Sequence, residues 1–382
     1  MGPNLKDVKF QYDTLVDRLN ICNRESEIKD IKQLLKKNRP IVIYAPRRYG
    51  KTSLIKNVIA EDFKKQHKSN AVVFTNFMGV DGLSSITERF QESVVNLFHE
   101  ITPVKSWMKN VIQYFQHLTI SVTTDPLTGN PSLEIKGNIE KPKQTLNELF
   151  NALKKVGRER SLLFVFDEFQ DISLINEAEA LLRSNLQEIT NNPVIILWSK
   201  RMLLEKMFSS SNSPFFNYGE EISLKNISLD DWYPYFNQRL ISSNCSMGKE
   251  SLSYLLDLMC NVPNSICEAG AWIVENCKNQ NVASDVLTTN LDILIDKKEE
   301  SFRFQLSLLS HSEKSIYYEI AKQKYVKQIT SKIFLKAVKP SGSATQKIIR
   351  RLLENGFIEW EFDKGYRISD PLLRYFIIRK PL

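Results

Sequence analysis

Four short apolar runs punctuate this chain, at residues 41–44, 71–77, 162–166 and 194–198, each rich in β-branched or aromatic side chains. The unbroken run at 162–166 reads as a strand buried on both faces, which is typical of a parallel sheet, and the others read as further strands. Residues 220–224 read as a last strand of the same sheet. Helical periodicity covers 23–37 and returns from Ser228 to about Glu299, with 284–309 supplying a helix and connector. Polar residues 118–138, centred on Asp125-Pro-Leu-Thr-Gly-Asn130, predict a β-hairpin inserted on the sheet domain. No internal repeat and no low-complexity segment stands out.

The C-terminal stretch has a different layout. Residues 313–323 and 328–338 read as helices, Pro340-Ser-Gly-Ser343 interrupts, and 344–354 reads as a third helix with Ser343 as its expected N-cap. Asn355-Gly356 ends that helix. Residues 357–362 and 366–369 then flank Asp363-Lys-Gly365, a strong hairpin signal. Three helices followed by a hairpin wing form a winged helix-turn-helix.

The first strand runs directly into A-P-R-R-Y-G-K-T, residues 45–52, and an amphipathic segment follows. Strand, loop with Gly-Lys-Thr, then helix is the arrangement of a phosphate-binding P-loop. Ala45, Pro46, Arg47, Arg48, Tyr49 and Gly50 form the loop, and Lys51, Thr52 and Ser53 open the helix, whose N–H groups and dipole favour a phosphate. A Cβ at Gly50 would crowd the approaching backbone. Lys51 can reach the β- and γ-phosphates, and the Thr52 hydroxyl can ligate Mg²⁺. The pattern departs in one place: Ala45 stands where it has its first glycine, and Ala is the next smallest residue.

Two further strand ends carry matching chemistry. The third apolar run ends at Asp167-Glu168. Asp167 is placed to hold Mg²⁺, and Glu168 to polarise a water for attack on a γ-phosphate. The fourth run ends at Ser199-Lys200-Arg201. Ser199 reads equally as a sensor of the γ-phosphate or as a helix cap. Arg201 reads as a surface arginine opening the next helix, with charge stabilisation as the alternative.

With these motifs the chain resembles the archaeal-type AAA+ ATPases related to the signal-transducing STAND class. The resemblance rests on A-P-R-R-Y-G-K-T, on the N-terminal box from Cys22 to Ile28, on D-E-F-Q from Asp167 to Gln170, on Asn261-Val-Pro263, and on Ile368 to Tyr375. It implies an α/β fold: a P-loop parallel sheet with helices on both faces, followed by a small helical lid and a winged-helix domain. The corresponding divisions are an ATPase core at 1–227, a lid at 228–302 and a winged helix at 303–382. It also implies ATP/ADP with Mg²⁺ as cofactors. Asn23 and Arg24 would frame the adenine pocket, although a solvated Arg24–Glu25 pair is the plainer reading. Pro263 would touch base or phosphate, or simply start a helix. Ala45, Trp198 and Cys260-Asn261 depart from the family's usual glycines.

Composition narrows the partners. The 382 residues, 42% hydrophobic and 25% charged, suit a globular chain of two to three domains. No apolar stretch approaches the roughly 20 residues that span a bilayer, and no signal-peptide core opens the chain, so a cytoplasmic location without membrane contact is expected. The five cysteines contain no C-x-x-C pair and read as reduced thiols, and the four histidines are too scattered for a metal site. Charge is unevenly placed. Residues 310–382 hold fifteen Lys/Arg against seven Asp/Glu, a balance of +8, which accounts for the whole chain's +8. A basic terminal domain is the electrostatic footprint of a nucleic-acid binder. The third helix would enter the major groove of double-stranded DNA and present Thr345, Gln346, Lys347, Arg350 and Arg351, while Lys364 and Arg367 on the wing would meet phosphates. Two function classes follow: an ATPase whose nucleotide state repositions a lid and a DNA-binding winged helix, or a slow nucleotide switch whose winged helix makes protein or autoinhibitory contacts. A homo-oligomer or protein partner is left open by both.

Overall fold

The computed structural model describes residues 8–101, 119–124, 131–136, 141–189, 191–200, 207–208, 210–338, 340–361 and 363–380. The chain forms two compact units. One comprises 25–45 and 54–224; the other comprises 1–24, 46–53 and 225–382.

The first unit is built on a five-stranded sheet. Its strands are β1 (Ile41–Tyr44), β2 (Ala71–Asn76), β5 (Leu162–Asp167), β6 (Val194–Trp198) and β7 (Glu220–Ser223). All neighbours are parallel, in the order β2-β5-β6-β1-β7. β3 (Thr119–Thr124) and β4 (Pro131–Lys136) form a separate antiparallel hairpin within the predicted insertion, and the turn residues 125–130 lie outside the described residues. The four apolar runs become β1, β2, β5 and β6, largely buried because helices cover both faces of the sheet. β2 and β7 are the two edge strands, and β7 is the exposed one. Glu220 and Glu221 are exposed there, which is why its sequence lacks an apolar run.

The covering helices include Glu25–Lys36, Leu83–Ile101, Pro142–Glu159 and Ala178–Glu188. Aromatic rings fill much of the core: Phe90 stacks on Phe150 with centroids 4.3 Å apart, and Phe77 on Phe166 at 5.7 Å. Trp198 belongs to this core. It is fully buried, meets Phe208 edge-on at 5.4 Å and donates its indole N–H to the Lys200 carbonyl at 2.7 Å. The bulky ring at this strand end is thus accommodated by packing into the core.

After the P-loop the chain enters a helix at Lys51–Leu54, widens into a π-helical stretch at Ile55–Ala60 and returns to α geometry at Glu61–Gln66. Ile55, Val58, Ile59 and Ala60 are all buried in the widened stretch.

In the second unit the segment from Ser228 resolves into helices Leu229–Leu240, Lys249–Leu258, Pro263–Asn276, Ser284–Lys297 and Glu299–Ser307. The winged helix follows: His311–Gln323, Lys332–Ala337, Gly342–Glu354, β8 (Ile358–Glu361), β9 (Gly365–Ile368) and a last helix, Pro371–Arg379. One hydrophobic core runs through both, from Phe10 and Cys22 through Trp232, Ile266 and Leu291 to Ile316, Leu352 and Phe376. The lid and winged helix expected at 228–302 and 303–382 therefore share a single interior.

Two local features differ from the sequence expectation, and the wing turn agrees with it. The third helix of the winged domain starts at Gly342 with Ser341, not Ser343, at its N-cap. Ser341 is the extended residue directly after Pro340, so the helix begins two residues earlier. The final helix was absent from the expected layout; Asp370 caps it by accepting from the Leu372 and Leu373 N–H groups, with Pro371 at the first position. In the wing, Asp363 (φ 63°) and Gly365 (φ 103°) make the turn, and a Cβ on Gly365 would lie 2.4 Å from the Val326 carbonyl oxygen. Only glycine fits that contact. Among the described residues no helix is long and apolar enough to cross a membrane.

Candidate functional site

Three inner strands of the sheet unit end at one edge, and each delivers a predicted site residue. Tyr44 is opposite Trp198 in the register, and the Ala45 N–H donates to the Trp198 carbonyl at 3.2 Å. The P-loop thus leaves β1 beside the end of β6. Asp167 closes β5, almost fully buried, and its Oδ1 accepts the Glu168 N–H at 2.9 Å. Glu168 itself sits in the left-handed region (φ 50°), an uncommon conformation for a residue with a Cβ. Its Oε2 accepts the Ser199 hydroxyl at 2.7 Å and also the side-chain amide of Gln170. The Ser199 N–H in turn donates to Gln170 Oε1 at 3.1 Å. Ser199 is therefore joined to Glu168 by its hydroxyl. Gln170, part of the D-E-F-Q signature but assigned no role by the sequence, is the residue that ties this group together. Arg201 lies outside the described residues.

The P-loop residues 46–53 belong to the second unit. Arg48 (φ 64°) and Gly50 (φ 79°) take left-handed conformations that curl the loop. No heavy atom lies within 4 Å of a Cβ built on Gly50, so this position leaves open space beside the helix start. Lys51 is buried and donates its Nζ to the Pro46 carbonyl at 3.1 Å, folding back along the loop. Thr52 is half-buried. The Ser53 hydroxyl accepts the Val16 N–H at 3.0 Å and so fastens the N-terminal segment. Tyr49 is buried and donates to Asn226 Oδ1 at 3.1 Å; burial pushes its phenol pKa up. A curled loop, an open position at glycine and a lysine aimed along the loop fit a bound phosphate chain.

Elements of the lid and wing meet this loop. Pro263 starts the helix Pro263–Asn276, and the next residue's N–H donates to the Arg48 carbonyl at 3.4 Å. Pro263 is thus both a helix-starting proline and a neighbour of the P-loop. Arg48 pairs with Asp370 at 3.2 Å; burial opposes its charge, and the Asp370 carboxylate outweighs this and raises its pKa. Burial pushes the Glu359 carboxyl up, while Arg367, Lys51, Arg47 and Arg48 pull it the other way. Asn23 and Arg24 both have positive φ, and Arg24 is buried with its Nη1 donating to the Lys225 carbonyl at 2.7 Å. Its expected place in a solvated surface pair is corrected: the guanidinium lies inside the fold.

The predicted DNA-facing set divides. Gln346, Lys347 and Arg350 are exposed on one side of Gly342–Glu354. Arg351 is exposed but pairs with Glu313 at 3.2 Å. Thr345 is fully buried, because it shares a helix face with Ile349 and Leu352, and it leaves the set. Arg367 leaves it too. Its guanidinium is buried, bonded to Glu359 at 2.8 Å, Glu361 at 3.1 Å and the Ile368 carbonyl at 2.9 Å. Lys364 is half-buried against Glu361 at 2.6 Å and lies over the Tyr325 ring. Lys332 and Lys336, which no motif marks in the sequence, are also exposed, on the preceding helix Lys332–Ala337.

With this geometry in place, comparison with known proteins is decisive at the family level. Residues 21–218 match the family described as an ATPase domain predominantly from Archaea. The chain belongs to this ATPase family. Residues 300–379 match a winged helix domain. An uncharacterised ATP-binding protein of Methanocaldococcus jannaschii is 26% identical over 208 residues, covering 53% of this chain and 53% of that protein. The alignment thus spans about half of that relative's length. Among solved structures, a Walker-type ATPase of Pyrococcus abyssi aligns with a TM-score of 0.61 at 18% identity, over 97% of this chain and 99% of the other. The Aeropyrum pernix ORC2 protein in its ADPNP–ADP complexes aligns at 0.52 and 14% identity, over 97% of each chain. The ORC1 protein of the same organism, solved in complex with DNA, aligns at 0.51 and 11%, over 97% and 95%. These likenesses are to the fold: a P-loop ATPase with a C-terminal winged helix.

Proposed function

We infer that this ATPase hydrolyses ATP and uses the bound nucleotide to control a DNA-binding winged helix. The observation that carries the reading is the joined group Asp167, Glu168 and Ser199 at the edge of a sheet whose β1 feeds a P-loop. Lys51 would hold the β- and γ-phosphates, and Thr52 and Asp167 would hold Mg²⁺. Magnesium-bound ATP supplies the electrophilic phosphoryl group. Glu168 would accept the proton of the attacking water at its carboxylate, and the Ser199 hydroxyl, now on Glu168 Oε2, has one proton to direct to either acceptor. Backbone N–H groups of the loop orient the phosphates.

DNA is the partner supported by the exposed cations. Lys332, Lys336, Lys347 and Arg350 project from two consecutive helices of the winged domain, and none forms an ion pair within 4.0 Å among the described residues. Duplex DNA neutralised by such residues binds with steep salt dependence. Replacing Lys347 and Arg350 together by alanine is expected to weaken duplex binding at every sequence and to reduce the log–log salt slope by about 2. Fluorescence anisotropy across salt concentration measures this, and an unchanged slope removes the winged helix from the DNA interface.

A second reading, a nucleotide switch held off by its own winged helix, is favoured by one contact: Asp370 paired with P-loop Arg48. In that reading nucleotide competes with the wing for the loop's cations. Asp370→Asn tests it, because asparagine caps the last helix as well as aspartate does while removing the charge. Arg48 is half exposed, so the pair is modest, and the variant is expected to bind ATP about 2- to 5-fold more tightly. Titration with a fluorescent ATP analogue reads this directly; unchanged affinity leaves the contact without a regulatory role.

A further inference from the structure

We propose that Gln170 is a positioning residue that holds Glu168 in place for water activation by tying it to the end of β6. The proposal rests on the hydrolytic reading above. Gln170 is fully buried in the turn Phe169–Leu174 that follows β5. Its side chain faces two ways. The amide oxygen accepts the Ser199 N–H at 3.1 Å, and the amide nitrogen donates to Glu168 Oε2. The same nitrogen lies 3.5 Å from Asp171 Oδ1, and Asp171 Oδ2 accepts the Gly79 N–H at 2.9 Å. One planar group thus spans the ends of β5 and β6, and through Asp171 it connects to the loop after β2.

A glutamate in this position needs such support. Its backbone is left-handed and its side chain has three rotatable bonds, so a carboxylate held by the backbone alone would sample many directions. Two donors, the Ser199 hydroxyl and the Gln170 amide, converge on one oxygen. Their roles differ physically. The Ser199 hydroxyl has a single proton and rotates freely, so it can turn toward a phosphate oxygen when one is present. The Gln170 amide cannot do so without giving up its bond to the Ser199 backbone. Gln170 therefore keeps Glu168 aimed when the hydroxyl turns away, and misplacing a reacting group by about 1 Å can lower a rate roughly 100-fold.

The test uses the full chain and Gln170→Met, which keeps the side chain's length while removing both polar ends. Turnover is expected to fall about 10- to 100-fold, with the dissociation constant for ATP unchanged within about 2-fold. In the Glu168→Gln background, where no carboxylate remains to position, adding Gln170→Met is expected to leave the residual single-turnover rate unchanged, because residues acting through one another are non-additive. A thermal melt confirms folding. Should the methionine variant unfold, Gln170→Asn carries the same test, since a side chain one methylene shorter cannot span Ser199 and Glu168 together. Normal turnover in a folded Gln170 variant overturns the proposal, as does a rate loss that adds fully to that of Glu168→Gln or comes with an equal loss of ATP binding. Absence of turnover in the unaltered protein overturns the hydrolytic reading and the proposal with it, whereas full turnover in Glu168→Gln moves the base to another residue and overturns the proposal alone.

Discussion

Glu168→Gln is expected to bind ATP with the affinity of the unaltered protein and to lose turnover by about 100- to 10,000-fold, the range contributed by a positioned general base. Glutamine is close to isosteric, so it keeps the space that Glu168 occupies while no longer accepting a proton. Its amide oxygen can still accept from the Ser199 hydroxyl and the Gln170 amide, the two groups that hold Glu168 Oε2. The local structure is therefore expected to survive. Lys51→Ala gives the contrasting outcome. It removes the cation assigned to the phosphates, and nucleotide binding itself is expected to disappear. Measuring fluorescent-nucleotide affinity and phosphate release on both variants separates the two roles. Turnover that persists in Glu168→Gln would move the catalytic base to another residue.

The second large effect is on stability. Arg367→Met is expected to destabilise the unit that contains the winged helix by about 3 kcal/mol, because it strips Glu359 of its buried partner and leaves Glu361 with Lys364 alone. A loss of this size corresponds to a melting shift of roughly 10 °C for a unit of this length. Lys347→Ala, on an exposed face of the neighbouring helix, is expected to change stability by no more than about 0.5 kcal/mol. Replacing Arg367, Glu359 and Glu361 together by apolar residues of similar volume should recover much of the loss, since a buried ion network is rarely better than good packing. Differential scanning calorimetry on the three proteins checks this. A small effect of Arg367→Met would mean that the guanidinium is solvated and available to a phosphate after all.

Arg367 also shows where reading a sequence stops. A basic residue on a predicted wing is indistinguishable, in the chain, from one that faces DNA. The acids that bury it, Glu359 and Glu361, are eight and six residues away, and the hairpin register that places Glu359 opposite Arg367 exists only once β8 and β9 pair. Thr345 illustrates the same limit on a helix. Its position three residues from Ile348 and four from Ile349 left its face ambiguous until the helix began at Gly342 and packed Thr345, Ile349 and Leu352 inward.

The local motifs were legible because their physics is local. A buried parallel strand needs an unbroken apolar run, a phosphate loop needs Gly50 and Lys51 in sequence, and an acidic pair can sit at a strand end only if it follows the strand. The four apolar strands, the loop that leaves β1, and the positions of Asp167 and Ser199 at strand ends were therefore readable directly from the residues. Tertiary structure alone decided the rest. It gave Gln170 two partners separated by the turn to another strand, it set Asp370 against Arg48 across 322 residues of chain, and it merged lid and winged helix into one hydrophobic core. These are contacts between distant segments, and their energies depend on burial and geometry that no local pattern of residue types encodes.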